Sequence, residues 1–380
     1  MTAFFAWSIA LALGFALWCL IDGRPRTIKD VLAAFGHAVP LGLLTCALAI
    51  RAPSALGFDT LPMSLWWWPA GLLVPLMLAL WWQSRRQAPL SVPSPSAVHV
   101  APALSFQGWL ALLILGLIAI RAFWLYEEAL LRPLFGWDAW LAWSVKAKAW
   151  TLSGQALPFV DAKTWLTEDA GATRTSLAYN YPELLSWLQM WLSSPSGGWS
   201  EPAVNVAWPT LWLALLAGCC GQWRSLSVSP LLAAIGVYLL ASLPLANVHA
   251  ALPGYADLWI ATVFVFAVLA VLRWYELGQR SQLLLALVLT FMLPGLKLEG
   301  MVWATGVVAL VLWLALADYG RITRVVAALA CVIVLIALSW VLDLSWLNQV
   351  VTLFNGRGHD GRMVDVLTST GAGLFMQDNW

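Results

Sequence analysis

Apolar residues recur along this chain in runs of about 20, the length a helix needs to cross a bilayer, with short polar stretches between them. Ten runs are readable, at 3–21, 31–50, 62–82, 104–124, 203–220, 230–247, 257–274, 281–296, 299–317 and 325–342. Only a helix or a closed barrel satisfies its own backbone polar groups where water is absent. The pattern therefore predicts an all-α polytopic membrane protein with about ten transmembrane helices. The third run carries interfacial belts, Trp66, Trp67 and Trp68 at one end and Trp81 and Trp82 at the other. The longest polar interruption is 125–202. Within it, 138–152 predicts a helix lying in the interface, with Trp140, Trp143, Ala147 and Trp150 on one stripe and Asp138 on the opposite side. Lys146 and Lys148 flank that stripe, where lysines either snorkel or meet lipid phosphates. Residues 182–193 are apolar but too short to span, and predict a second juxtamembrane helix.

Composition sharpens this picture. Of 380 residues, 61% are hydrophobic and 10% charged, which excludes a soluble domain of this size. A net charge of +1 gives no ground for nucleic-acid binding. The first run has no basic residue before it and no small-residue cleavage site after it, so it is expected to be retained as a span. Cys19, Cys46, Cys219, Cys220 and Cys331 all fall in apolar runs, as buried small hydrophobes do. Threaded as ten spans, the chain puts Arg24, Arg26, Lys29, Arg85, Arg86, Arg224, Arg273, Arg280, Arg321 and Arg324 on one side, which is then cytoplasmic. The 125–202 loop faces outward. The organisation expected is a three-span N-terminal unit (1–82), a Pro/Ser-rich cytoplasmic linker (83–103), a membrane core (104–345) and an outer-face C-terminal segment (346–380).

Ionisable residues are scarce here, so their placement is informative. Asp138 stands in Gly136-Trp137-Asp138-Ala139-Trp140, where a span gives way to the long loop; it reads either as a helix N-cap or as a chemical group at the lipid boundary. Asp257 opens the seventh run in Pro253-Gly254-Tyr255-Ala256-Asp257, as a helix-dipole partner or a cavity group. Lys297 and Glu299 sit in the turn Gly295-Leu296-Lys297-Leu298-Glu299-Gly300, as an internal ion pair or as site residues. Tyr181-Pro182-Glu183-Leu184 begins the second juxtamembrane helix. Four separated segments thus bring charge to one membrane face. His249 lies close by, but a lone histidine near an interface reads first as solvated. No histidine pair has metal-ligand spacing, and no Gly-rich phosphate loop is present.

These motifs, in this order, resemble the GT-C superfamily of integral-membrane glycosyltransferases, in the branch of the protein O-mannosyltransferases and lipid A aminoarabinose transferases. The residues that carry the likeness are Asp138, Tyr181-Pro182-Glu183-Leu184, Ser200-Glu201, Asp257 and Lys297, within roughly 104–345. The chain departs from that pattern at Tyr181, where His or Lys before Pro-Pro is usual, and at Asn205, where an Arg is usual. It departs again at Leu298-Glu299, which follow Lys297 in place of Gly-Pro.

The resemblance implies a GT-C-like fold and transfer of a sugar, with inversion, from a polyprenyl-phosphate carrier to an acceptor (glycan, lipid or protein) at the outer face of an inner or plasma membrane. It implies Asp138 as general base and Lys297, with Lys146 or Arg174, facing the leaving phosphate. Asp257 and Glu299 would hold sugar hydroxyls or orient Lys297; Tyr181 and Glu183 would line the substrate site. Trp137 would stack on the sugar or anchor the loop. It names no cofactor beyond a divalent cation, which some members need. The partners expected are the polyprenyl-phosphate-sugar donor and the bilayer. A transporter or flippase of a lipid-linked or polar solute is the competing expectation.

Overall fold

A computed structural model of the chain describes residues 3–55, 67–86, 106–167, 171–317, 319–327 and 329–330. The apolar runs become helices: α1 (Ala3–Asp22), α2 (Ile28–Ala55), α3 (Trp67–Arg86) and α4 (Phe106–Leu131). The long interruption folds as a π-helical turn (Ala139–Trp143), α5 (Ser144–Ser153), the two-residue strand β1 (Phe159–Val160), α6 (Ala162–Thr167) and β2 (Arg174–Thr175), which pairs parallel with β1. After these come α7 (Leu184–Ser193), α8 (Glu201–Asn205), α9 (Ala207–Ser225), α10 (Pro230–Ala241) and α11 (Pro244–Ala251). The last described elements are α12 (Asp257–Leu277), α13 (Arg280–Leu296) and α14 (Gly300–Ala315).

The protein is an all-α membrane protein. Five described helical stretches are long and apolar enough to cross a membrane: Phe4–Asp22, Ile28–Pro53, Phe106–Leu131, Glu201–Ser225 and Asp257–Leu277. A sixth is a broken span, α10 and α11 bent by 60° at Ser242-Leu243. The runs at 281–296 and 299–317 form the shorter apolar helices α13 and α14. Most of the linker 83–103, most of the run 325–342 and all of 346–380 lie outside the described residues.

Small residues set the closest helix contacts. A β-carbon at Gly14 would strike the Ala38 carbonyl, and one at Gly42 the Ala10 carbonyl, so α1 and α2 touch backbone to backbone. Gly36 meets Gly218 in the same way, which draws α2 against α9. The N-terminal helices are thus packed into the helices that follow residue 104, rather than joined to them by the linker alone.

Two expectations for the long loop are corrected. Trp143, Ala147 and Trp150 are buried and do not lie in a headgroup layer; of that stripe Trp140 alone is exposed. The reason is α7, which packs on α5 and α2 and is itself buried at every residue. Trp150 lies 4.9 Å from Trp187 between ring centroids, and Ser186 Oγ donates to the Trp143 carbonyl at 2.8 Å. The second juxtamembrane helix is therefore a plug in the end of the bundle, not a surface helix.

At the opposite end, where α1 finishes, the bundle is closed by a buried polar network. Asp22 accepts from Gln282 Nε2 at 2.6 Å and Ser281 Oγ at 3.1 Å, and lies 3.6 Å from Arg273. Arg273 also donates to Gln222 and Gln279, and Gln222 reaches the ring of His37 at 3.2 Å.

Candidate functional site

The site is built at the end of the bundle where α4 finishes and α12 begins. Asn205 is buried and donates to the carbonyls of Ala129 and Arg132 (3.0 and 3.1 Å), satisfying groups left open at the C-terminus of α4. Glu201 accepts from the Leu134 amide at 2.9 Å, and Trp140 Nε1 donates to the Leu134 carbonyl at 2.8 Å. These bonds fix the short segment that carries Asp138. Ser200-Glu201 and Asn205 are thereby explained by support of this segment.

The Asp138 segment is keyed into the Pro253-Gly254-Tyr255 turn. A β-carbon at Gly136 would strike the ring of Tyr255, and one at Gly254 would strike Ala139. Gly254 also holds φ +97°, a conformation other residues reach only with strain. Trp208 Nε1 donates to the Tyr255 carbonyl at 2.8 Å and holds the turn in place. Two motifs more than a hundred residues apart in sequence are therefore in van der Waals contact.

Asp138 is half-buried, has helical backbone angles and makes no capping hydrogen bond, so the N-cap alternative is excluded. The π-helical turn follows it at once, an irregularity frequent at functional sites. Asp257 Oδ1 accepts from Lys297 Nζ at 2.9 Å, and its Oδ2 lies 4.0 Å from His249 Nδ1. Lys297 thus pairs with Asp257 across α12 and α13; the internal Lys297–Glu299 pair considered for the turn is not formed. Glu299 Oε2 is buried and has no hydrogen-bond partner among the described residues.

The charges act on one another. Burial pushes the Asp138 carboxyl above the usual carboxylate range; Lys297 pulls it down, while Asp257 and Glu299 push it up. Burial alone would lower Lys297, but the hydrogen bond to Asp257 and the charges of Asp257 and Glu299 outweigh it, holding the ammonium above its ordinary value. Burial raises the Tyr181 hydroxyl, and the charge of Glu299 adds to the rise. Asp138, Tyr181, His249, Asp257, Lys297 and Glu299 therefore form one cluster, with an ammonium among three carboxylates.

No known family matches. That holds for protein-family models, for curated proteins and for solved structures alike. The likeness to the GT-C glycosyltransferases rests on the residues and their order.

Not every expected residue joins the cluster. Lys146 is fully buried, and its ammonium donates to the carbonyls of Tyr179 and Tyr181 at 2.8 Å each, so it faces no lipid phosphate. Burial lowers it to about 8, against the opposing charge of Glu183. Glu183 is buried against Arg51 of α2 at 3.5 Å, apart from the cluster around Asp138. Arg174 turns to the carbonyls of Thr173 and Gly171. Together Arg51, Glu183 and Lys146 anchor the loop that delivers Tyr181, whose ring sits edge-on to Trp143 at 5.4 Å. Trp137, 68% exposed, flanks the cluster beside Asp138.

His249 is the neighbour of the cluster that the sequence undervalued. It lies in the last turn of α11, the second half of the broken span, and its ring meets Tyr255 edge-on at 5.6 Å. The available signal was Pro244 and Pro253-Gly254 bracketing a helix too short to span. No group of three or more His, Cys, Asp or Glu among the described residues is arranged to hold a metal ion. The carboxylate of Asp257 is turned to the Lys297 ammonium instead.

Proposed function

We propose that the protein is a membrane glycosyltransferase that moves a sugar from a polyprenyl-phosphate carrier to an acceptor hydroxyl, with inversion, at the outer membrane face. The observation that carries this reading is the meeting of Asp138 with Asp257, Lys297 and Glu299 at one end of the bundle. Glycosyl transfer needs a base for the acceptor's proton and a cation for the departing phosphate, held in a partly desolvated site. Asp138 takes the proton as the acceptor oxygen bonds to the anomeric carbon. The bond from that carbon to the phosphate oxygen breaks, and the phosphate leaves with the electron pair toward Lys297. Asp257 orients Lys297 through their 2.9 Å bond. Glu299, with its unpartnered buried oxygen, accepts from a sugar hydroxyl. Tyr181 and Trp137 border the sugar.

The ten-span threading, with its ten short-loop basic residues on one side, supports an outward-facing site in an inner or plasma membrane. The donor then reaches the site from the bilayer.

Incubation of the purified protein with a panel of polyprenyl-phospho-sugars and candidate acceptors tests this directly. Asp138→Asn is expected to lower transfer by about 10²–10⁴-fold while membrane insertion is unchanged. Full activity in the Asn variant removes Asp138 as the base. One observation favours a transporter or flippase instead, namely the 60° break between α10 and α11, since broken helices line many transport sites. Crosslinks that trap both inward-open and outward-open states would decide for that alternative.

A further inference from the structure

A second feature lies on the flank of the bundle, away from the charge cluster, and stands independently of glycosyl transfer. It is a groove of about 420 Å³ between α4 and the break of α10–α11, lined by Arg121, Trp124, Glu128, Ser242 and Asn247 among others.

The surface around it is apolar and exposed. Leu117, Ile120, Phe123 and Trp124 of α4 and Leu239 of α10 all face outward. On a helix that crosses the membrane, such a flank is the one that lipid covers. Arg121 stands on this flank ten residues before the end of α4, about 15 Å back along the helix axis. A guanidinium at that depth is costly unless an anion or water reaches it.

Among the described residues, one partner is the Ala241 carbonyl. The break between α10 and α11 frees the Ala241 carbonyl, which accepts from Arg121 Nη1 at 2.8 Å and from Asn247 Nδ2 at 2.9 Å. That bond uses one of the five N–H donors of a guanidinium, whose planar fork suits two oxygens of a phosphate. Glu128 lies two turns nearer the helix end, and its charge is met by Arg132 at 2.7 Å. The deep end of the groove is left with the positive charge of Arg121, and the bilayer is its open side.

We propose that this groove seats a bilayer glycerophospholipid, with its phosphate on Arg121 and its acyl chains along Leu117, Ile120 and Leu239. The occupant is matched by charge, a single phosphodiester against a single arginine. It is also matched by geometry, because the phosphate is the polar group of a lipid that sits next to the chains.

The test is native mass spectrometry of the full-length protein released from nanodiscs of phosphatidylethanolamine and phosphatidylglycerol, with diacylglycerol added as a phosphate-free control. The wild type is expected to retain phospholipid and not diacylglycerol. Arg121→Gln should lower that occupancy about tenfold, and Arg121→Lys, which keeps the charge but not the fork, should recover part of it. Because Arg121→Gln also removes the bond to Ala241, Ser242→Trp serves as a second variant that fills the groove and leaves Arg121 in place. It should give the same loss. Equal retention of diacylglycerol, or unchanged occupancy in either folded variant, overturns the proposal. Polyprenyl monophosphate held to the exclusion of phospholipid overturns it as well.

Discussion

Asp138 shows how far one side chain's chemistry is set by neighbours from elsewhere in the chain. Its carboxyl is raised chiefly by burial, then lowered by Lys297 and raised again by Asp257 and Glu299. The proposed base works only when ionised, so the proposed transfer should fail as the pH drops through this raised value, above the range of an ordinary carboxylate. The two neighbours make opposite contributions that can be read separately. Lys297→Met should move the acid limb of the pH–rate profile upward, and Glu299→Gln should move it downward, since each removes one of these influences. Residual transfer by both variants, followed across pH, checks the signs. At this scale the sequence was informative. Asp138, Asp257, Lys297 and Glu299 stood out because ionisable residues are rare in apolar sequence. Lys146 was expected at the phosphate and is buried instead, because its spacing told only which side of a helix it occupied and not that α7 packs against α5.

Among the elements, the plug formed by α5 and α7 carries the clearest consequence of burial. Lys146 is lowered to about 8 by burial, offset in part by Glu183. A cation whose pKa is depressed on folding gives up its proton earlier in the folded state than in the unfolded one. Below about pH 8 both states hold the proton and stability does not depend on it. Between about pH 8 and the ordinary lysine value near 10.5 the unfolded state holds more protons, so stability rises with pH. Thermal unfolding in detergent should show this rise in the wild type, and Lys146→Met should lack it. The apolar run at 182–193 announced a helix too short to span, but the pattern cannot distinguish a helix on a lipid surface from one inserted among others, since both present apolar residues. The same ambiguity hid the break in α10–α11: the run 230–247 is continuous in hydropathy, and only Pro244 marks the bend.

Across the whole molecule, the two ends of the bundle are held by different devices. One carries the cluster around Asp138; the other is tied by Asp22, Arg273 and their amide partners. Removing one member of a buried ion pair leaves its partner without compensation, at a cost of about 3–5 kcal/mol. Arg273→Met is therefore expected to lower stability on that scale, measured by denaturant unfolding, while donor binding in the folded fraction is unchanged. The helical membrane architecture was legible because run length and composition report directly on the bilayer. The packing of α2 against both α1 and α9 was not legible, because it depends on which glycines face each other, as Gly36 faces Gly218.

The contact of Gly136 with Tyr255 and of Ala139 with Gly254 has a consequence for biosynthesis. A ribosome releases the Asp138 segment long before residues 253–257 exist, and longer still before Lys297 and Glu299 follow. Glu201 and Asn205 can support the early segment first, but until the later helices dock Gly136 and Ala139 lack the turn they key into, and Asp138 lacks Lys297. The nascent chain therefore lacks the assembled charge cluster through most of its synthesis. The cluster is completed late, when the turn at 253–257 and the segment carrying Lys297 and Glu299 dock against the loop that bears Asp138.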